Sequence, residues 1–176
     1  MFRAHAGNAF WWISFFRVFL LQSILAAIIS APLLAAAFAD TPLGPLDWLG
    51  VSVWMVGFTF EALADLQLRR FRADPAMRGQ VLRTGLWAWT RHPNYFGEAV
   101  LWWGYFLIAL GSGGWWTIFA PLLMTFLLVR VSGVALLEKT VVARRPGYAD
   151  YIRDVPAFIP RPPGRARGAD RSAPLG

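Results

Sequence analysis

The 176-residue chain is long enough for about one domain, and its composition argues against a soluble protein. Hydrophobic residues make up 57% of the chain and charged residues only 15%, whereas soluble domains are about 25% charged. There is no cysteine, which excludes a disulfide framework and a thiolate zinc site. The two histidines, His5 and His92, are far apart in the sequence, so we predict no metal site.

The formal net charge of +7 comes almost wholly from arginine, and the arginines flank the apolar segments. That placement is typical of membrane proteins, in which basic residues stay on the cytoplasmic side. A nucleic-acid-binding protein would instead gather its basic residues on a soluble face. We therefore predict a lipid bilayer as the partner, and no nucleic acid.

The apolar segments are long enough for membrane-spanning helices. Residues 18–38 are uncharged, residues 46–64 follow a turn rich in proline, and residues 99–129 are again uncharged. At about 1.5 Å per residue, 99–129 exceeds the roughly 30 Å hydrocarbon layer, so we expect the glycines of 111–114 to divide it into a hairpin. The sequence predicts an all-α integral membrane protein, a bundle of about four transmembrane helices with a cytoplasmic polar segment.

The charge pattern also predicts the orientation and the extent of the domain. Both termini and residues 65–94 contain the arginine clusters and are expected in the cytoplasm, while the two short loops without Lys or Arg face away. Residues 1–163 are expected to form one membrane-embedded domain. Residues 164–176, rich in proline, glycine and arginine, are expected to be a disordered basic tail.

A polar and aromatic stretch, residues 82–98, lies between two of the apolar regions. His92-Pro93 should end any helix arriving from upstream, because proline disfavours a helical conformation in the preceding residue. Asn94 and Glu98 are four residues apart and share one face of the helix that follows. A carboxylate at a membrane edge is costly unless it is paired or used, so this stretch predicts a site at the membrane surface.

A second polar group precedes that stretch. Glu61, Asp65, Arg69 and Arg72 recur at steps of four, four and three, which places them on one stripe of a continuous helix. One interpretation is a ladder of ion pairs on a solvated face. The other is the wall of a site, which the expected depth of Glu61 within a span favours.

Six arginines between residues 65 and 91 either set the topology or bind phosphate, since guanidinium groups contact phosphate oxygens in a bidentate manner. Several of them suit a dinucleotide with an additional phosphate better than a sulfonium methyl donor. There is no glycine-rich dinucleotide fingerprint, so any such cofactor is held by a non-Rossmann arrangement. These arginines are Arg69, Arg70, Arg72, Arg78, Arg83 and Arg91.

Three motifs resemble a known family over about residues 10–162. They read Ala64-Asp65-Leu-Gln-Leu-Arg69-Arg-Phe-Arg72, then Gly85-Leu-Trp-Ala-Trp-Thr-Arg91-His92-Pro93-Asn94-Tyr95-Phe96-Gly97-Glu98, then Glu138 with Arg145-Pro-Gly-Tyr148-Ala-Asp-Tyr151. Together they resemble the steroid 5-alpha-reductase superfamily, most closely its bacterial membrane proteins of unassigned function. The Arg-His-Pro-Asn-Tyr core is also similar to that of sterol reductases and, more loosely, of isoprenylcysteine carboxyl methyltransferases.

This resemblance implies an NADPH-dependent oxidoreductase of the bacterial inner membrane, like 3-oxo-5-alpha-steroid 4-dehydrogenase. Its substrate would be hydrophobic, with an enone double bond in a steroid-like or other lipid molecule. Asn94 would lie near the nicotinamide amide and Arg72 near the phosphates. The cofactor-binding positions that the resemblance implies are Asp65, Arg72, Arg91, His92, Asn94, Tyr95, Glu98 and Arg130.

The resemblance leaves the catalytic acid unassigned. Relative to the superfamily the chain resembles an N-terminally shortened member, without a counterpart of the groups that polarise the ketone; it would then be the cofactor-binding half alone. His5 and Glu61 are candidates to replace those groups. The alternatives are an S-adenosylmethionine-dependent methyltransferase of the isoprenylcysteine carboxyl or phospholipid type, and a non-catalytic membrane scaffold. The oligomeric state stays open.

Overall fold

The computed structural model describes residue 12, residues 15–131 and residues 147–163. Within these ranges the regular structure is helical and no strand occurs, as the sequence predicts. Short 3₁₀ and π-helical turns connect the longer elements. The α-helices are α1 (Leu21–Ile29), α2 (Ala31–Ala37), α3 (Pro45–Ala73), α4 (Pro93–Gly111), α5 (Phe119–Phe126) and α6 (Tyr148–Asp154).

The described part of the chain contains one helix, α3, that is long and apolar enough to cross a membrane by itself. Val18–Ile29 and Ala31–Ala37 satisfy the same test only as a pair, and they are bent by 43°. Trp115–Val131 is apolar but shorter. By length and composition, the described residues thus contain one spanning helix, or two if the bent pair forms a single span. The bundle of about four transmembrane helices stays a prediction.

Helix α3 extends well past the segment expected to cross the membrane. Pro45 occupies its first turn, where a missing N–H costs nothing, and the Asp47 carboxylate accepts a hydrogen bond of 2.8 Å from the Gly44 N–H. Its 29 residues correspond to about 43 Å, more than the roughly 30 Å of a hydrocarbon layer. Asp65 and Arg72 therefore lie on an uninterrupted helical extension of the span.

Helix α4 begins and ends where its sequence signals predict. It starts at Pro93, directly after His92, and ends at Gly111. The chain then turns through Gly113, which has a φ of +84°, a conformation that favours glycine. Helix α4 is central to the fold, because α2, α3 and α5 all pack against it, while α1 packs against α5.

Glycines allow α3 and α4 to pack with their backbones in contact. A Cβ atom added at Gly57 would lie 2.4 Å from the Leu101 nitrogen and 2.6 Å from the Gly97 oxygen. A Cβ added at Gly104 would lie 2.7 Å from the nitrogen of Trp54. No side chain larger than hydrogen fits at these positions unless the helices separate.

The same contacts show that the two helices are antiparallel. Gly50 of α3 faces Gly104 of α4, and Gly57 faces Gly97. Each helix thus places two glycines, seven residues apart, in the contact. A seven-residue repeat keeps one face of a long helix against its neighbour. The pair stays close along its length, which brings the polar end of α3 beside the first turns of α4.

Candidate functional site

A cavity of about 430 Å³ lies where the polar end of α3 meets the start of α4. Sites for small molecules and cofactors typically have about 300–1,000 Å³. Three parts of the chain contribute: α3, the connection to α4 with the first turn of α4, and α6. The lining residues are Asp65, Leu68, Phe71, Arg72, Val81, Leu82, Trp87, Arg91, His92, Asn94, Tyr95, Tyr148 and Tyr151.

The α3 wall combines apolar and charged side chains. Asp65, Leu68 and Arg72 are spaced by three and four residues, so they project from one face of the helix. Leu68 is half-buried, whereas Asp65 and Arg72 are exposed. This wall thus places a carboxylate and a guanidinium about two turns apart, with apolar surface between them.

The opposite wall comes from the motif at the start of α4. The Asn94 Nδ2 donates a hydrogen bond of 3.1 Å to the Asp65 Oδ1, which links α4 to α3 at the cavity. His92 is buried and its ring stacks on Tyr95, with 5.4 Å between centroids and 6° between planes. The motif therefore supplies one amide and two parallel aromatic rings.

The connection between α3 and α4 is anchored to α3. The Leu86 N–H donates to the Gln67 Oε1 at 3.0 Å, and the Trp87 indole N–H donates to the Ala64 carbonyl oxygen at 3.1 Å. These bonds fix the turn Gly85–Ala88 over the polar end of α3. As a result, the indole of Trp87 forms part of the cavity wall.

The third wall is the C-terminal strap, residues 147–163, which is far from the other walls in sequence. The Tyr151 hydroxyl donates to the Trp87 carbonyl oxygen at 2.6 Å. The Thr90 hydroxyl donates to the Phe158 carbonyl oxygen at 3.0 Å, and the Arg161 N–H donates to the Trp89 carbonyl oxygen at 2.9 Å. The strap is thus hydrogen-bonded to residues 87–90, and the acceptor in each of these bonds is a backbone carbonyl oxygen.

Arg91 has a structural contact that the sequence does not reveal. Its side chain is only 7% exposed, and its guanidinium donates to the carbonyl oxygens of Ile152 at 2.8 Å and Val155 at 2.5 Å. Those carbonyls are at the C-terminal end of α6, where helices leave acceptors unsatisfied. Arg91 therefore caps α6 and holds Tyr148 and Tyr151 against the cavity.

The cavity brings together six of the eight positions that the family resemblance implies, and it does not bring in the other two. Glu98 is one turn deeper on α4, half-buried and close to Glu61 and Asp65. Arg130 is exposed at the end of the π-helical turn Leu127–Val131 and is not part of the lining. The six lining positions are Asp65, Arg72, Arg91, His92, Asn94 and Tyr95.

The remaining predictions around the site concern the charged stripe on α3 and three groups elsewhere in the chain. Between residues 15 and 131, no ion pair joins Glu61 or Asp65 to Arg69 or Arg72, so the interpretation as an ion-pair ladder is wrong for this stripe. The groups predicted at His5, Glu138 and Arg145 lie outside the described residues.

A second cavity, of about 450 Å³, lies among α1, α4 and α5. Among the described residues that line it, Gln22 and Ser30 are polar and the others are apolar. Trp102 lines it and is seven residues from Tyr95, so both side chains project from the same face of α4. The apolar lining residues are Leu25, Ala26, Ile29, Trp102 and Met124.

Replacing Tyr151 by Phe should lower the stability of the strap. The change removes the hydrogen bond to the Trp87 carbonyl and leaves that acceptor without its partner, which costs about 1–3 kcal/mol. Thermal unfolding of the detergent-solubilised protein should shift down by about 2–12 °C, since 1 kcal/mol corresponds to about 2–4 °C for a protein of this size. Tyr105→Phe is the control, because no hydrogen bond from the Tyr105 hydroxyl occurs within the described ranges; equal shifts for both variants would contradict the expectation.

Comparison with known proteins agrees with the motifs. The chain is 29% identical over 170 residues to an uncharacterized protein of Schizosaccharomyces pombe, covering 84% of this chain and 49% of that protein. It is 33% identical over 87 residues to the 3-oxo-5-alpha-steroid 4-dehydrogenase 1 of Bos taurus, covering 46% of this chain and 32% of that enzyme. The chain thus spans half or less of the length of these curated relatives.

No solved structure matches the chain. Residues 1–155 match the family described as "Protein of unknown function (DUF1295)". This match covers the polar end of α3, the whole motif of α4 and all of α6, which are the elements that form the cavity. The chain therefore belongs to the DUF1295 family, within the steroid 5-alpha-reductase-like superfamily.

Proposed function

We propose that the protein is a membrane-bound, NADPH-dependent reductase that acts on an enone double bond of a lipid-like substrate. The observation that supports this most directly is the cavity at the end of α3, where aromatic rings, the amide of Asn94 and the arginines Arg72 and Arg91 converge. The similarity to a 3-oxo-5-alpha-steroid 4-dehydrogenase supports this class of reaction. The aligned residues cover about a third of that enzyme. The proposed activity is therefore that of an assembly longer than the aligned part of this chain.

The residues present fit a nicotinamide dinucleotide. Flat aromatic side chains suit a planar ring, and Arg72 suits phosphate oxygens. The cavity is near the lower end of the size range for ligand sites, so it would enclose one end of a dinucleotide and leave the phosphates near the rim. Further exposed arginines on the last turns of α3 and in the loop after it would contact those phosphates: Arg69, Arg70 and Arg78.

In this proposal the protein binds and orients, while NADPH, when bound, supplies the hydride. Asn94 and Asp65 would fix the ring end of the cofactor, and Tyr148 and Tyr151 would exclude water from it. Glu98 and Arg130 lie outside the cavity lining and are kept as cofactor-binding positions on the family resemblance alone. No residue is proposed as the catalytic acid.

The substrate would enter from the lipid. The described lining of the second cavity is almost wholly apolar, and Trp102, which lines it, projects from the same face of α4 as Tyr95, which lines the first. A hydrophobic molecule there would direct one end toward the polar cavity. We further propose a multi-pass protein of the bacterial inner membrane with both termini in the cytoplasm, in which residues 1–163 form the membrane domain and residues 164–176 a basic tail.

Replacing Arg72 by Ala should weaken NADPH binding about tenfold, because a hydrogen bond to a charged group contributes about 1.5–3 kcal/mol and exposure reduces it. The measurement is titration of the purified protein in detergent, followed by NADPH fluorescence. Arg153→Ala is the matched control, since Arg153 is exposed and pairs with Asp150 away from the cavity. Clear binding of S-adenosylmethionine without any affinity for NADPH would overturn the proposal.

A methyltransferase is the second candidate, and the chemistry of the cavity supports it. Asp65 lines the cavity, and aromatic faces surround it. A carboxylate and aromatic faces both attract a positively charged sulfonium. Transfer of a labelled methyl group from S-adenosylmethionine to a lipid or prenyl carboxylate would select this function.

A further inference from the structure

The second half of the C-terminal strap reaches the depth of the apolar part of α3. The Phe158 ring packs edge-on against Phe96 of α4, with 5.9 Å between ring centroids, and Phe96 packs against Phe60 of α3 at 5.4 Å. Phe60 is about 22 Å along the helix axis from Pro45, the first residue of α3. A hydrocarbon layer is roughly 30 Å thick, so a span that begins at Pro45 still includes Phe60. Phe158 therefore lies at the level of the span.

Exposed tryptophans at both ends of α4 indicate where the membrane surfaces are. Helix α4 is about 28 Å long, close to the thickness of a hydrocarbon layer. Trp89 precedes this helix, Trp115 and Trp116 follow it, and all three are exposed. Because tryptophan concentrates at the two membrane–water interfaces, Trp89 belongs to one interface and the other two to the opposite one. The Trp89 carbonyl oxygen accepts the hydrogen bond from the Arg161 N–H, which attaches the strap at that interface.

The backbone of the strap is suited to an apolar environment. At membrane depth, irregular backbone is tolerated only where its polar groups have partners, because lipid tails offer none. The Arg91 N–H donates a hydrogen bond of 2.9 Å to the Pro156 carbonyl oxygen. The Thr90 hydroxyl shares its proton between the carbonyl oxygens of Ala157 and Phe158, at 3.1 and 3.0 Å. Three successive carbonyl groups of the strap are thus paired within the protein and do not depend on water.

Ile159 presents apolar surface at the same level. It directly follows Phe158 and is 72% exposed. The formal charges of the strap cancel, so its attraction to charged lipid headgroups is small and the burial of apolar surface is the main driving force. The four charged residues of the strap are Asp150, Arg153, Asp154 and Arg161.

We propose that the second half of the strap is an interfacial membrane segment, in which Ile159 and Trp89 insert below the headgroups of the bilayer that α3 crosses. The exposed Arg161 extends from there toward the headgroups. The inference rests on the membrane-bound part of the proposed function and not on its reaction. The strap that places Tyr148 and Tyr151 in the cavity wall is then held by lipid as well as by protein.

The test uses the absence of cysteine from the chain, because a single introduced cysteine then carries a fluorescent label at one chosen position. The full chain is labelled with NBD at Ile159→Cys and reconstituted in nanodiscs of phosphatidylcholine, a lipid without net charge. Val56→Cys, on the exposed face of α3, is the control for contact with lipid. Ala149→Cys is the matched control on the strap, since it is exposed in the first turn of α6, beside the bond from Arg83 to the Gly147 carbonyl oxygen.

Two quenchers distinguish lipid from water around each label. A phosphatidylcholine with a nitroxide on the acyl chain just below the headgroup reports contact with lipid, and iodide reports contact with water. We expect the nitroxide to quench the labels at positions 159 and 56, with little loss of fluorescence at 149, and iodide to quench only the label at 149. The emission maximum of the label at 159 should also lie at shorter wavelength than that at 149.

The possible results separate the inference from the proposed function. Quenching at 159 by iodide alone would overturn the inference, and so would protection from both quenchers, which would mean that a second copy or another protein covers Ile159. If the nitroxide also fails to quench the label at 56, the membrane-bound part of the proposed function fails as well. Should Ile159→Cys not fold, Arg161→Cys makes the same comparison with a nitroxide on the headgroup, because its backbone bond to Trp89 remains.

Discussion

Replacing Arg91 by Ala should loosen α6 within the C-terminal strap and strongly weaken ligand binding, although the bonds of the strap to residues 87–90 remain. Two hydrogen bonds from the guanidinium to the Ile152 and Val155 carbonyls are lost in a buried place, at about 1.5–3 kcal/mol each. The protein should unfold about 10 °C lower, and Tyr148 and Tyr151 should no longer close the cavity. Thermal unfolding and NADPH titration in the same detergent measure both effects.

Two further variants separate the position of this arginine from its charge. Arg161→Ala removes an exposed arginine of the strap but leaves its backbone bond to Trp89, so it should unfold like the wild type. Arg91→Lys keeps the charge but lacks the planar fork that reaches two carbonyls, so it should restore only part of the loss. A stable Arg91→Ala variant with a changed NADPH affinity would instead mean that Arg91 acts on the ligand alone.

Replacing Gly57 by Ala should separate α3 from α4. The added Cβ would lie 2.4 Å from the Leu101 nitrogen, a contact that only movement of a backbone can relieve. Overpacking typically costs about 1–3 kcal/mol, which exceeds the gain of up to about 1 kcal/mol that alanine gives within a helix. We expect a lower unfolding temperature and weaker NADPH binding, because the Asn94–Asp65 contact depends on the spacing of these helices.

Gly44→Ala adds the same methyl group at the start of α3, where the nearest atom, the Asp47 Oδ2, is 3.8 Å away. It should lower the unfolding temperature less than Gly57→Ala does, since it loses only the preference of an N-cap for glycine over alanine. If Gly57→Ala is as stable as the wild type, the close approach of α3 and α4 is not required. The paired comparison separates the effect of the contact from that of changing a glycine.

Local sequence signals predict the helix ends around the site well. His92-Pro93 and the glycines after residue 110 determine where α4 begins and ends, and both act within a few residues. The stripe of Asp65 and Arg72 is equally local, because a continuous helix fixes which side chains share a face. The family resemblance assigns Asp65 and Asn94 to one cofactor site, and the hydrogen bond between them is a finding of the structure.

Contacts between distant parts of the chain could not be predicted in the same way. Arg91 and Val155 are 64 residues apart, and nothing near Arg91 shows that its guanidinium caps another helix. The close pairing of α3 and α4 has a sequence signal, the seven-residue spacing of Gly50 and Gly57, but a search for glycines four residues apart does not detect it. Both features depend on a segment that is distant in the sequence, α6 for Arg91 and α4 for Gly57, so the residues around Arg91 or Gly57 alone do not reveal them.

The position of the strap in the sequence has a consequence for biosynthesis. When a ribosome has completed α5, the residues that cap and cover the cavity are still untranslated, since α6 begins at Tyr148. Helices α3 and α4 can therefore pair before α6 exists, whereas the complete cavity forms only after the last part of the chain is translated. A molecule that binds this cavity could thus assist only the final step of folding.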